Sequence, residues 1–114
     1  MGQEDVPAGE VDVHEAKRMV DSDEVSVVDV RTQFPFRAMA GAAYIPLEDI
    51  LTRPMEVLET DKPVLFICNV GQTSGVATQM AHAMGVANAY NMMGGMKAWE
   101  EAGYETEDPP ADSH

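Results

Sequence analysis

Four consecutive apolar residues, Val64-Leu65-Phe66-Ile67, run into the only cysteine of the chain, Cys68, and then into Asn69-Val70-Gly71-Gln72-Thr73-Ser74-Gly75. Val76, Ala77, Met80, Ala81 and Met84 follow at helical spacing. A strand that breaks into a glycine-bearing loop and resumes at once as a helix is a βα unit. It places Cys68 at the carboxyl end of a strand and at the amino end of a helix.

The rest of the chain repeats this alternation. Asp12 with Glu15 three residues on reads as a capping box for a helix reaching about Val20. Val25, Val27, Val28 and Val30 form a β-branched run that ends in Asp29-Val30-Arg31, a core strand. Gly41 to Pro46 encloses a short strand at Tyr44-Ile45 ahead of a helix from Leu47, and Pro54 splits that stretch into two short helices or a kinked one. Asp61-Lys62-Pro63 turns into the Val64 strand. Gly85 stops the helix after Cys68, a strand is expected around Ala87 to Tyr90, and Gly94-Gly95 turns into a helix bearing Met96 and Trp99 that ends at Gly103. Strands alternating with helices imply one α/β domain with a central parallel sheet and helices on both faces. Residues 1–10 are expected to form a flexible terminal segment and residues 105–114, acidic and containing Pro109-Pro110, a disordered tail. Met80, Met84, Met92, Met93 and Met96 are expected to fill gaps in the core.

At 114 residues the chain suffices for one core. A single cysteine forms no internal disulfide, which fits a cytoplasmic setting. The start, Met1 to Gly9, has no basic stretch leading into an apolar one, so no secretory signal is expected, and no apolar run approaches the ~20 residues of a membrane span. Twenty acidic against seven basic side chains give a net charge of −13, which repels phosphate backbones and anionic lipid surfaces. Nucleic acid and membrane are therefore poor partners. His14, His82 and His114 are too scattered to form a metal set, and His82 is expected on or near the exposed side of its helix.

The chemistry concentrates at Cys68. Backbone N–H groups of a loop and of a first helical turn have no intrahelical partners and favour an anion among them, and the thiolate is the nucleophilic form of cysteine. The competing reading is a small buried residue finishing a core strand. Gly71 suits a left-handed backbone in a tight loop, or is an ordinary turn glycine. Ser74 either donates its hydroxyl to a bound sulfur species or caps its helix. No acid or base partner for Cys68 stands out.

The order of these motifs resembles the rhodanese-like (sulfurtransferase) domain family, over Val11 to Tyr104. The likeness rests on Asp29-Val30-Arg31, Gly41-Ala42 before Ile45-Pro46, the Cys68 loop, Ser74 at the following helix and Gly85 after it, and on Met93-Gly94-Gly95-Met96-Lys97-Ala98-Trp99 with Gly103-Tyr104. The resemblance implies a single-domain fold in which Cys68 takes a sulfane sulfur from a small donor such as thiosulfate, mercaptopyruvate or a low-molecular persulfide. The sulfur is held as a persulfide and passed to a thiol, cyanide or a sulfur-acceptor protein, without metal or cofactor. It further implies a substrate loop of Asn69, Val70, Gly71, Gln72, Thr73 and Ser74, whose amides curve around the sulfur, with Asp29 and Arg31 supporting it.

Two departures from the family pattern bear on the substrate. Thr73 stands where many members carry an arginine, so thiosulfate is expected to be a poor donor. The segment Thr32-Gln33-Phe34-Pro35-Phe36-Arg37-Ala38-Met39-Ala40 lacks the usual acidic residue and Gly-His-Ile-Pro pattern and is a couple of residues short. Phe34, Phe36 and Met39 are expected to make that wall apolar. Arg37 is a candidate substrate contact from it, or a solvated surface charge. A related loop in phosphatases and arsenate reductases needs an arginine six positions after the cysteine to clamp a tetrahedral dianion; here that residue is Ser74. The remaining alternative to an enzyme or sulfur carrier is a non-catalytic module that docks a partner.

Overall fold

The computed structural model describes residues 9–58 and 61–110. In chain order the elements are β1 (Glu10–Val11), α1 (Val13–Asp21), β2 (Ser26–Asp29), β3 (Ala43–Tyr44), α2 (Leu47–Thr52), α3 (Pro54–Val57), β4 (Val64–Ile67), α4 (Gln72–Ala83), β5 (Ala89–Met92) and α5 (Gly95–Glu101). The five strands form one wholly parallel sheet in the order β1-β5-β4-β2-β3. β4 lies at its centre, paired with β2 on one side and β5 on the other.

Local chemistry sets the element ends. The Asp12 carboxylate accepts the Glu15 N–H at 2.8 Å and starts α1. Pro54 opens α3, where its missing N–H costs no hydrogen bond, so the two helices flank Arg53 instead of forming one kinked rod. Alternation along the central strands then sorts the core onto two faces. Val27, Leu65, Ile67 and Met92 pack against Val13, Ala16, Met19, Met96 and Trp99 from α1 and α5. Val28, Val30, Val64, Phe66 and Cys68 pack against Ile50, Ala77, Ala81 and Val86 on the α2 and α4 side. Phe66 and Ile67 are completely buried and contribute on the order of 2 kcal/mol each by leaving water.

Several expectations are corrected. β1 was not anticipated: Glu10 and Val11 pair with Asn91 and Met92, so residue 10 belongs to the sheet, while residues 1–8 of the expected terminal segment lie outside the described residues. β5 falls two residues later than expected. α4 buries Ser74, Ala77, Thr78 and Ala81, the small residues that let it approach the sheet, whereas Val76 and Met84 are exposed. Of the methionines named above, Met92 and Met96 are buried, and Met84 and Met93 face solvent. His82 is half-buried, its Nε2 lying 2.9 Å from the Ala89 carbonyl oxygen.

Residues 105–108, expected in a disordered tail, bind the domain. Ala38 and Glu107 exchange backbone hydrogen bonds at 2.9 and 2.8 Å, and Trp99 Nε1 donates to the Glu105 carbonyl at 2.9 Å. Residues 111–114 lie outside the described residues.

Candidate active site

Ligands of parallel α/β sheets bind beyond the carboxyl ends of the strands. Cys68 follows β4 at the centre of that edge, with Arg31 beside it after β2 and Asn91 in β5 on the other side. The loop from Asn69 turns back through Gly71, whose φ of +96° is left-handed, so that α4 begins with its free N–H groups directed at the thiol. The Gly71 N–H donates to Cys68 Sγ at 3.1 Å, the Ser74 N–H at 3.2 Å, and Ser74 Oγ lies 3.1 Å from the same sulfur. Three polar groups thus converge on one sulfur atom and favour negative charge there.

Cys68 is only 3% exposed, yet it forms the floor of an open cleft of about 460 Å³. The cleft is walled by Arg31, Thr32 and Gln33 on one side, Pro46, Leu47 and Glu48 on another, and Asn69, Val70, Gln72 and Thr73 from the loop. A reagent must therefore enter the cleft to meet the sulfur. Of the loop amides expected to surround it, those of Gly71 and Ser74 reach Sγ, while Asn69, Val70, Gln72 and Thr73 line the cleft. Ser74 does not cap α4: it lies inside the first turn, fully buried, with its hydroxyl between Cys68 and Asn91.

Asp29 and Arg31 are buried together. Arg31 Nε and Nη2 donate to the two carboxylate oxygens of Asp29 at 2.9 and 2.7 Å, a bidentate pair. Arg31 Nη1 continues to Asn69 Oδ1 and to the Phe36 carbonyl, both at 3.0 Å, and Nη2 reaches the Arg37 carbonyl at 3.3 Å. One guanidinium therefore joins the strand end, the loop and the wall. Its central carbon lies over the Phe34 ring, 4.6 Å from the ring centroid.

The wall differs from its expected form. Met39 is in the core, Phe36 packs onto that core and Phe34 meets Tyr44 edge to face, so the surface facing the cleft is Thr32 and Gln33. Arg37 is not among the cleft residues: its guanidinium donates to Thr106 Oγ1 at 2.7 Å and to Asp108 at 2.9 Å. The tail draws that cation away from the sulfur.

Three contributions escaped the sequence reading. Asn91 is 4% exposed and stands behind Ser74, which donates to its Oδ1 at 2.5 Å; a polar residue inside an otherwise apolar buried strand is the signal that marks it. Glu48 brings a negative charge to the cleft. The glycine pair forms a clamp: at Gly95, φ +62°, a Cβ would lie 2.5 Å from the Asn69 carbonyl oxygen and 2.6 Å from that of Cys68. Without it, the Met96 and Lys97 N–H groups of α5 donate to the Cys68 and Asn69 carbonyls at 2.8 and 3.0 Å.

Comparison with known proteins agrees with this architecture. A family model described as the rhodanese-like domain matches residues 12–102. The thiosulfate sulfurtransferase GlpE of Vibrio cholerae is 33% identical over 93 residues, covering 81% of this chain and 88% of the relative. The crystal structure of a rhodanese-related protein from Thermoplasma volcanium superposes with a TM-score of 0.74 at 26% identity, covering 84% of this chain and 94% of that one. The rhodanese-like domain of the Anabaena protein Alr3790 shares the fold, with a TM-score of 0.75 at 22% identity, over 93% of this chain and 87% of that one. With its parallel sheet, its cysteine loop and a family match over most of its length, the chain belongs to the rhodanese-like domain family.

Proposed function

We propose that the protein is a sulfurtransferase or persulfide carrier in which Cys68 is the catalytic nucleophile. The observation that carries this reading is the convergence of the Gly71 N–H, the Ser74 N–H and the Ser74 hydroxyl on Cys68 Sγ at the floor of an open cleft. The Cys68 thiolate attacks the transferable sulfur of a donor, a sulfur–sulfur bond forms, and the donor's old bond to that sulfur breaks with its electron pair leaving on sulfite, on a thiolate or, for mercaptopyruvate, on the enolate of pyruvate. The enzyme persulfide carries the negative charge on its terminal sulfur, and donors preorganised around the site stabilise charge as it develops. An acceptor thiolate or cyanide then takes the terminal sulfur and returns Cys68 to its thiolate. With no second cysteine to resolve the persulfide, the acceptor is a separate molecule.

The lining favours a particular donor class. Among the described residues, Arg31 and Glu48 are the charged ones that line the cleft, and the Arg31 charge is already matched by Asp29. Thr73 adds no cation and Arg37 is held by the tail. A low-molecular persulfide, which brings at most one negative charge to its reacting sulfur pair, suits this cleft better than thiosulfate, which concentrates two on the same small unit. On the acceptor side, the net charge of −13 favours a basic or neutral sulfur-acceptor protein, approached in the cytoplasm and more slowly at high salt.

Intact-mass analysis after incubation with thiosulfate, mercaptopyruvate or glutathione persulfide tests the assignment. The native chain is expected to gain one cyanide-labile sulfur, most readily from the persulfide, and Cys68→Ser to gain none. Absence of a gain from every donor would overturn the transfer reading and leave a docking module, and strong thiosulfate turnover would overturn the donor preference.

A further inference from the structure

The Asn91 side chain has a single orientation that satisfies its surroundings. Its Nδ2 donates to the Glu10 carboxylate, with oxygens at 3.1 and 3.3 Å, and to the Gly71 carbonyl at 3.2 Å. Turning the amide over would set its oxygen against three acceptor oxygens. Asn91 Oδ1 is therefore committed to Ser74 Oγ. That hydroxyl has one proton and two acceptors in reach, Asn91 Oδ1 at 2.5 Å and Cys68 Sγ at 3.1 Å.

We infer that Asn91, oriented by Glu10, is a positioning residue that competes with Cys68 for the Ser74 hydroxyl proton and so sets how strongly the loop holds an anionic sulfur. While Cys68 is a thiol, the Ser74 proton rests on Asn91 and the serine lone pair is open to the S–H. When the sulfur becomes an anion, the hydroxyl turns toward it and the bond to Asn91 is given up, which lowers the net gain. Glu10 and Asn91 lie on β1 and β5, outside the loop, and neither touches the sulfur among the described contacts. The inference concerns the free thiol as much as the persulfide, so it rests on the proposed chemistry only for its consequence in sulfur transfer.

The test is the pH profile of Cys68 alkylation by iodoacetamide, a neutral reagent that reads the thiol without any sulfur donor. Among the described residues, the charged groups around the site are Arg31 with Asp29 beside β4, Glu48 at the cleft, Glu10 behind β5, and Lys97 on α5, paired with Glu101. All except Glu10 are unchanged in the variants. Removing the competitor in Asn91→Leu is expected to move the midpoint of the rising limb down by roughly 0.5–1 pH unit, the scale of one hydrogen bond. In a Ser74→Ala background the same substitution should move it by less than about 0.2 unit. Equal movement in both backgrounds, or none in either, would overturn the inference.

Should Asn91→Leu not fold, Glu10 at the sheet edge supplies the second route. Glu10→Ala removes two of the three acceptors that fix the amide, loosens its hold on the Ser74 proton and is expected to shift the midpoint down, whereas Glu10→Gln removes the charge but keeps an acceptor for Nδ2 and is expected to hold the native profile. Equal shifts in the two Glu10 variants would reduce the effect to charge and sink the proposal. Absence of sulfur gain by the native chain from every donor, with these alkylation shifts intact, would refute the proposed function and leave the competition standing.

Discussion

Replacing Gly95 by alanine is expected to cost far more than a methyl group in a turn usually does. The added Cβ would meet the Asn69 carbonyl oxygen at 2.5 Å and the Cys68 carbonyl oxygen at 2.6 Å, both backbone atoms with no flexible end to swing aside. Alanine at φ +62° adds roughly 1–2 kcal/mol of left-handed strain. To relieve the clash α5 must back away, which breaks the Met96 and Lys97 N–H bonds to those two carbonyls, worth roughly 0.5–1.5 kcal/mol each and more where a buried group stays unpaired. The sum is about 2–5 kcal/mol. For a domain of this size, with a urea m-value of about 2 kcal/mol/M, the unfolding midpoint should fall by roughly 1–2.5 M. Hydrogen exchange of the Met96 and Lys97 amides should accelerate with it, and Cys68 alkylation should change because the base of its loop has lost its clamp. A midpoint within about 0.3 M of native, with both amides still protected, would show that the close approach of α5 to the loop is not what requires a glycine.

Three further outcomes follow from the charges. Asp29→Asn leaves the buried Arg31 guanidinium without its counter-charge and should cost about 3–5 kcal/mol in chemical denaturation; a loss below about 1 kcal/mol would mean that Asn69 and the wall carbonyls suffice to hold it. Glu48→Lys should raise kcat/KM for thiosulfate about three- to tenfold at low salt and lose most of that gain at high salt, whereas a salt-independent change would show that charge is not the cause. Glu15 is held below the usual carboxylate range, chiefly by its hydrogen bonds from Arg18. Because the folded value is the lower, the pair stabilises the fold above the unfolded value and ceases to do so as pH falls through the folded one. The Glu15 carboxyl titration followed by NMR should accordingly move up in Arg18→Gln, and an unmoved titration would refute the assignment.

The features readable in the sequence are those written as local pattern. The Val64 strand, the break at Cys68 and the helix after it specify a βα unit by periodicity alone, and Asp12 and Pro54 mark helix starts through chemistry that acts within one turn. What escaped is non-local. β1 is two residues long and exists because β5 offers it an edge, so no window of sequence around Glu10 carries its signal. Arg37 looked free because its partners, Thr106 and Asp108, lie about seventy residues away in a segment whose composition reads as unstructured. Ser74 reads more readily as a cap than as a donor until Gly71 is seen to take the capping position and Asn91 to stand behind the hydroxyl. The glycine pair was visible as a turn, but its need for a bare α-carbon depends on two carbonyls from another part of the chain.

The segment 105–108 is hemmed to the wall beside the cleft, not to the cysteine loop. The thiol pocket and the bank beside it are in this way built by different stretches of chain, the first by residues 68–74 and the strands behind them, the second fastened from outside by a strip that takes no part in lining the cleft. Variation in that strip can restyle the neighbouring bank while the strand-to-helix turn under the sulfur keeps its shape.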